Sequence, residues 1–173
     1  IMTQVTLPDA IDAHQQGDFS RALDMYTQLL ASTPDNPDIL HLLGILWGQQ
    51  GEPDKARDYV QAAIQHNDQA ATYFNTLGNI EQQLDHEDLA IQAYQQAIQL
   101  APDSPSAHNN LGNSYRRRDQ WDDATQCYQQ AIALMPEYAD AHFNLGGAYL
   151  AQEQLKKAQD AFNATIASEP KHV

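Results

Sequence analysis

Histidines in this chain occur at spacings that suggest a zinc site, but each pattern is incomplete. His86-Glu87 begins like the motif H-E-x-x-H, which would bind Zn²⁺ and use the glutamate as a general base, yet position 90 is alanine. His108 and His142 stand 34 residues apart, and Cys127 is the single cysteine. A zinc site needs three or four protein ligands that meet at one point. We therefore predict no metal site and no cofactor.

Paired carboxylates, the groups that general acid–base catalysis would use, occur at Glu87-Asp88 and Asp122-Asp123. Both pairs fall at the start of a predicted helix, where negative charge interacts favourably with the helix dipole. The sequence contains no phosphate-binding glycine loop and no Gly-x-Ser-x-Gly nucleophile motif. Because the structural role accounts for the carboxylates, we predict that the chain is not an enzyme.

The net charge of −14 argues against nucleic acid as a partner, since proteins that bind it need a basic face. Solubility explains the acidic charge most simply, and a basic partner is the alternative. No apolar run reaches the ~18 residues of a membrane-spanning helix, so we predict no membrane insertion. One cysteine excludes an internal disulfide but does not decide the compartment, for which we weakly favour the cytoplasm.

The elements that position these residues recur every 34 residues, with a glycine at one place in four segments and an alanine at another place in five. The glycines are Gly44, Gly78, Gly112 and Gly146, and the alanines are Ala22, Ala56, Ala90, Ala124 and Ala158. Such a period indicates a stack of similar repeats. The predicted repeats are 3–36, 37–70, 71–104, 105–138 and 139–172. They fill the chain, so we predict a single domain over 1–173, cut from a longer protein.

Each repeat is predicted to be a pair of antiparallel helices, A and B. In the fourth repeat, Ser104 is a favourable N-cap before Pro105, and Pro136 ends helix B because proline cannot continue a helix. The small residue Gly112 falls where helices A and B cross, and Tyr128 is predicted to fill the space beyond the crossing. An aliphatic residue at one position of every B helix is predicted to pack on the next repeat. These residues are Leu30, Ile64, Ile98, Ile132 and Ile166.

The fourth repeat shows the full pattern in Leu111-Gly112, Tyr115, Ala124, Tyr128 and Pro136. This pattern resembles the tetratricopeptide repeat, whose signature is W-x2-L-G-x2-Y, then A-x3-F, then P. The last proline of the fifth repeat is Pro170, whereas the first repeat matches only in its second half. Glu81 replaces an aromatic residue and Asp68 replaces a proline, so we expect the join between the second and third repeats to be the loosest.

The resemblance implies an all-α fold, a right-handed superhelical solenoid of five antiparallel helix pairs whose A helices line a concave groove. In the fifth repeat the groove positions are Asp140, Phe143, Asn144, Gly147, Leu150 and Ala151. The predicted peptide-binding residues are Asn75, Asn79, Asn109, Asn110, Asn113, Arg116, Arg117 and Asn144. Amides both donate and accept hydrogen bonds and so could hold a peptide backbone. This run of amides resembles the asparagine ladder of O-linked sugar transferases, which holds substrate peptides. The alternative is that they face water or bond one another.

Arginine could bind a carboxylate at two points, but for Arg116 and Arg117 we favour local pairs with Asp119, Asp122 or Asp140. The function predicted from the groove is a non-catalytic scaffold that binds an extended or helical segment of a partner protein. The alternative is the substrate-recruiting arm of a larger enzyme such as an O-linked glycosyltransferase. The apolar edge near Ile166 predicts self-association or contact with the remainder of a longer protein.

Overall fold

The computed structural model of the protein describes residues 5–168, and within that range all regular structure is α-helical. The helices are α1 Leu7–Gln15, α2 Phe19–Ser32, α3 Pro37–Gln49, α4 Pro53–His66, α5 Ala71–Gln83, α6 Glu87–Leu100, α7 Pro105–Arg117, α8 Trp121–Leu134, α9 Ala139–Ala151 and α10 Leu155–Ser168. The predicted all-α class of five helix pairs is confirmed. Pro170 and the outermost residues of the first and last predicted repeats lie outside the described range.

The helix boundaries follow from the capping residues that the sequence supplies. The Asn36 side chain accepts hydrogen bonds from the backbone N–H groups of Asp38 and Ile39, at 3.0 and 3.2 Å, and so begins α3. Ser104 caps α7 in the same way by accepting from the N–H of Ala107 at 3.3 Å. Both helices start with proline, which suits the first helical turn because its missing N–H has no intrahelical partner there.

The turn between helices A and B has the same backbone conformation in all five repeats. Gly17 and Gly51 have φ angles of 77° and 76°, as expected for glycine. The later turns place Asp85, Asp119 and Glu153 in the same left-handed region, at 58°, 57° and 60°. The sequence did not require these turns to match, because aspartate and glutamate adopt positive φ less readily than glycine.

The described residues form two compact halves, divided between Asp85 and His86. The N-terminal half contains α1–α5 and the C-terminal half contains α6–α10. Within each half, the two helices of a repeat pack on each other, and each helix B packs on the following helix A. The prediction of a single domain over 1–173 stays a prediction.

Each half has a core built from the residues that recur in the sequence. Tyr26 and Val60 are fully buried in the N-terminal half, as are Tyr94 and Tyr128 in the C-terminal half, whereas Phe162 is half-buried. These residues lie on helix B, and Val60, Tyr128 and Phe162 lie against the glycine of helix A in the same repeat. The predicted packing role of these aromatic and aliphatic residues is therefore confirmed.

The aliphatic position of helix B packs against the next repeat wherever a next repeat follows in the same half. Leu30 packs against the cluster that contains Leu43 of α3, and Ile132 packs against the cluster that contains Leu145 of α9. Ile166 occupies the same position in α10 and is 71% exposed. Ile64 and Ile98 pack in the same way with residues of α5 and α7, so the predicted stacking role is confirmed for all four residues. Self-association through Ile166 stays a prediction.

Candidate functional site

Neighbouring A helices are joined by side-chain hydrogen bonds between residues 35 positions apart. In the N-terminal half, the Tyr73 hydroxyl donates to the Asp38 carboxylate, and His41 Nε2 lies 2.8 Å from Thr76 Oγ1. In the C-terminal half, Asn144 Nδ2 donates to Asn109 Oδ1 at 3.0 Å. The repeat is 34 residues long, so adjacent A helices are offset by one residue. This register decides which predicted site residues meet.

His41 lies between α3 and α5, with its ring centroid 4.5 Å from that of Tyr73. Burial lowers the pKa of His41 to about 4, and the nearby Asp38 carboxylate opposes this shift only in part. The His41 ring is therefore neutral in the folded protein at neutral pH. It forms part of the packing between two A helices rather than a free ligand-binding group.

We expect His41 to make the protein less stable as the pH falls. The unfolded chain binds a proton at His41 near pH 6.5, whereas the folded chain resists protonation down to about pH 4. Well above pH 6.5 the ring is neutral in both states, and the free energy of unfolding has its full value. As the pH falls from 6.5 towards 4, proton binding by the unfolded chain lowers that free energy. Between pH 7 and pH 5 the loss should be about 1–2 kcal/mol. Urea denaturation at the two pH values measures it.

The matched control is His41→Gln, which keeps a polar group near Thr76 but cannot titrate. The variant should lose less stability than the natural protein between pH 7 and pH 5. An NMR titration of the His41 ring checks the cause directly. A ring that titrates near pH 6.5 would contradict the prediction.

The predicted site residues of the N-terminal half both lie on α5, where Asn75 is half-buried and Asn79 is exposed. Asn79 lines a depression of about 300 Å³, together with Gly44, Ile45, Gly48, Gln49, Thr76, Ile80 and Gln83. The glycines of α3 leave this depression open, and the polar side chains of α5 make it partly polar. It is large enough for a side chain of a bound peptide.

In the C-terminal half, the predicted amides Asn109, Asn113 and Asn144 form side-chain hydrogen bonds inside the protein. Asn109 is only 5% exposed, and its Oδ1 accepts the hydrogen bond from Asn144. Asn113 Oδ1 accepts a hydrogen bond of 2.9 Å from the Tyr128 hydroxyl. Asn110 and Asn144 are half-buried on the same two helices. The amides therefore bond one another in part, as the alternative interpretation held, and also reach the surface.

Three consecutive arginines lie at the C-terminal end of α7, the third as its C-cap, and their partners differ. Arg117 forms an ion pair with Glu87 at 2.8 Å, and Arg118 pairs with Asp88. Arg116 is exposed, and its positive charge lies close enough to the Tyr128 hydroxyl to oppose the rise in pKa that burial causes there. The sequence analysis favours local partners for Arg116 and Arg117 and misses Glu87 at the start of α6, which lies 30 residues before Arg117.

Large apolar side chains on α9 are exposed at positions that sequence reasoning assigned to the groove but left out of the binding set. Phe143 is 60% exposed and Leu150 is 52% exposed. Gly147 lies between them, and a Cβ atom added there would have no neighbour within 4 Å. Contiguous exposed apolar surface on a monomeric protein is typical of an interaction site. The sequence could have indicated these two residues as binding candidates, because both are large apolar residues at positions that the repeat pattern assigns to the groove.

The histidines first considered as metal ligands bind backbone groups instead. His108 Nε2 lies 3.0 Å from the carbonyl oxygen of Pro102, and His142 Nε2 lies 2.8 Å from that of Pro136. Each contact ties helix A to the turn that precedes it. Among the residues that the structure describes, no three His, Cys, Asp or Glu side chains are grouped as a metal would require.

Comparison with protein families gives matches in every part of the stack. Models of the tetratricopeptide repeat match residues 13–80 and 139–172, and a further model of the same repeat matches 88–117 and 112–153. The chain belongs to the tetratricopeptide repeat family. No curated protein matches this tetratricopeptide repeat chain at a significant level.

Solved structures show the same fold at low sequence identity. MamA is 24% identical with a TM-score of 0.83, and the match covers 97% of this chain and 96% of that chain. Pseudomonas aeruginosa PilF is 16% identical with a TM-score of 0.87, covering 94% and 74%. YrrB, a tetratricopeptide repeat protein with an unusual peptide-binding site, is 22% identical with a TM-score of 0.74, covering 94% and 84%. These similarities establish the fold.

Membership of this family supports a protein-interaction scaffold. Over the described range, every helix is too short or too polar to cross a lipid bilayer.

Proposed function

We propose that this tetratricopeptide repeat protein is a non-catalytic scaffold that binds an extended or helical segment of a partner protein along its A helices. The observation that carries the proposal is the hydrogen bond between Asn109 and Asn144. It orients the half-buried Asn144 amide of α9 against α7, the helix that also carries Asn110.

A fixed amide binds a peptide backbone at lower cost than a mobile one, because less side-chain entropy is lost on binding. Asn144 uses one of its two N–H groups on Asn109, which leaves its carbonyl oxygen and its second N–H for a ligand. A peptide backbone presents one acceptor and one donor per residue, so this pair of groups complements it whatever the peptide sequence.

The comparison with YrrB supports the class of partner, since that protein has the same fold and a peptide-binding site. The predicted alternative, a substrate-recruiting arm of a larger enzyme, uses the same surface and stays a prediction. Self-association through the exposed edge at Ile166 also remains a prediction, because it uses a different surface.

The test compares peptide binding by the Asn110→Ala/Asn144→Ala double variant with that of the natural protein. Peptides are first selected from a displayed random library, and their dissociation constants are then measured by fluorescence polarisation. Loss of the two amides should weaken binding about 10- to 100-fold, because each hydrogen bond contributes about 1 kcal/mol. Asn163→Ala is the control, since Asn163 is exposed on helix B of the fifth repeat.

Thermal melts of every variant accompany the binding measurements, since Asn109 is buried and loses its partner when Asn144 is replaced. Unchanged affinity in a double variant that melts as a folded protein would place the binding surface elsewhere. Equal weakening in the Asn163→Ala control would show that the effect is not specific to the A helices.

A further inference from the structure

We infer that the C-terminal half binds an amphipathic helix that presents two apolar side chains on one face and a single carboxylate beyond the second. This inference rests on the proposed function and specifies the partner of the same surface. It is carried by three residues that the amides do not explain, namely Phe143, Leu150 and Arg116.

Phe143 and Leu150 provide two apolar contact points on one helix. They lie seven residues apart on α9, which separates them by about 10 Å along the helix axis. The Phe143 ring is supported by Phe162, whose centroid lies 5.8 Å away, so its position is fixed although 60% of it is exposed. Gly147 leaves open space between the two side chains. The surface of α9 therefore has a gap at Gly147 with an exposed apolar side chain on each side of it.

The separation of the two contact points favours a helical partner over an extended one. In an α-helix, residues seven apart lie on the same face and are about 10 Å apart along the axis. In an extended strand, a similar distance spans three residues, and side chains three apart point to opposite faces. A helix therefore delivers two apolar side chains to Phe143 and Leu150 together, whereas a strand delivers only one.

The positive charge lies at the Leu150 end of this surface. The register set by Asn109 and Asn144 places Arg116 level with Ala151, next to Leu150. The Arg116 guanidinium has five N–H donors, and the side chain is exposed, so donors are available for a carboxylate. Charge complementarity thus calls for an acidic group at this end of the partner.

The partner is expected to carry one such carboxylate rather than an acidic run. The chain itself has a net charge of −14, so a strongly acidic partner would be repelled on approach. A single aspartate or glutamate that reaches Arg116 gains a charge-assisted hydrogen bond without that penalty.

The experiment starts from a displayed library of helix-forming peptides in which the apolar and acidic positions are varied. The best binders are synthesised together with two matched forms, one with the acid replaced by its amide and one with the second apolar residue moved to the opposite face. Binding is measured to the natural protein and to Phe143→Ser, Leu150→Ser and Arg116→Gln. Leu89→Ser is the control, because Leu89 is a comparably exposed leucine on α6, a B helix.

Each apolar replacement is expected to weaken binding about tenfold, as is movement of the apolar residue to the opposite face. Arg116→Gln should weaken binding of the acidic peptide about tenfold and leave binding of its amide form unchanged. Leu89→Ser should bind like the natural protein.

Three outcomes would overturn the inference, and they can be told apart. Binding that depends on Asn110 and Asn144 but not on Phe143 or Leu150 overturns the inference and leaves the proposed function standing. Equal effects of Arg116→Gln on the acidic peptide and its amide form overturn the assignment of the carboxylate. If the natural protein binds no peptide of any library, the proposed function fails together with the inference.

Discussion

Replacement of Gly44 by alanine is expected to lower the free energy of unfolding by about 1–3 kcal/mol. Helices α3 and α4 approach so closely that an added Cβ atom would lie 2.4 Å from Val60 Cγ2 and 3.1 Å from the carbonyl oxygen of Ala56. Neither neighbour can yield cheaply. Val60 is fully buried and restricted at χ1 by its branched side chain, and the carbonyl belongs to the backbone of α4.

Gly48→Ala is the matched control, one helical turn further along α3. An added Cβ atom there would lie 3.7 Å from the Cβ atom of Ala56, which is an ordinary contact. Alanine favours a helix over glycine by up to about 1 kcal/mol, so this variant should be neutral or more stable. Urea denaturation followed by circular dichroism measures both variants. The explanation by close packing fails if Gly44→Ala is as stable as Gly48→Ala.

The repeat register, the helix pairs and the packing residues were predictable because they depend on local spacing. A glycine lies opposite a large side chain at equivalent places in three repeats, in the pairs Gly44 with Val60, Gly112 with Tyr128 and Gly146 with Phe162. Capping residues such as Asn36 mark helix starts without reference to the rest of the fold. Each of these signals lies within one repeat, so a single sequence is sufficient to identify it.

The roles of the individual groove residues were less predictable, because they depend on the offset between neighbouring repeats. Asn109 and Asn110 are adjacent in the sequence, yet Asn109 is buried against Asn144 and Asn110 is half-buried. One residue turns the side chain by about 100° around the helix axis. The pairing of Arg117 with Glu87 likewise depends on how α7 packs on α6. The residue spacing within one repeat predicts neither the burial of Asn109 nor the pairing of Arg117 with Glu87.

Tyr128→Ala is expected to be the most destabilising of the changes considered, with a loss of about 3–5 kcal/mol. Tyr128 is fully buried, and its ring covers Gly112, where an added Cβ atom would lie 2.6 Å from Cε1. Alanine at position 128 would therefore leave a cavity beside a glycine that has no side chain to fill it. Urea denaturation measures the loss, and a loss below about 1 kcal/mol would contradict the packing role.

Tyr128→Phe separates the packing role from the role of the hydroxyl. Phe162 occupies the corresponding place over Gly146, so a phenylalanine ring fits this crossing, and the expected loss of stability is only about 1 kcal/mol. The hydroxyl, however, donates to Asn113 and lies near the charge of Arg116. Without the hydroxyl, both side chains should be less firmly positioned. The loss of binding free energy for acidic peptides should then exceed the loss in the free energy of unfolding. If Tyr128→Phe and the natural protein bind such peptides equally, the hydroxyl does not position Arg116 for binding, and its bond to Asn113 serves the fold alone.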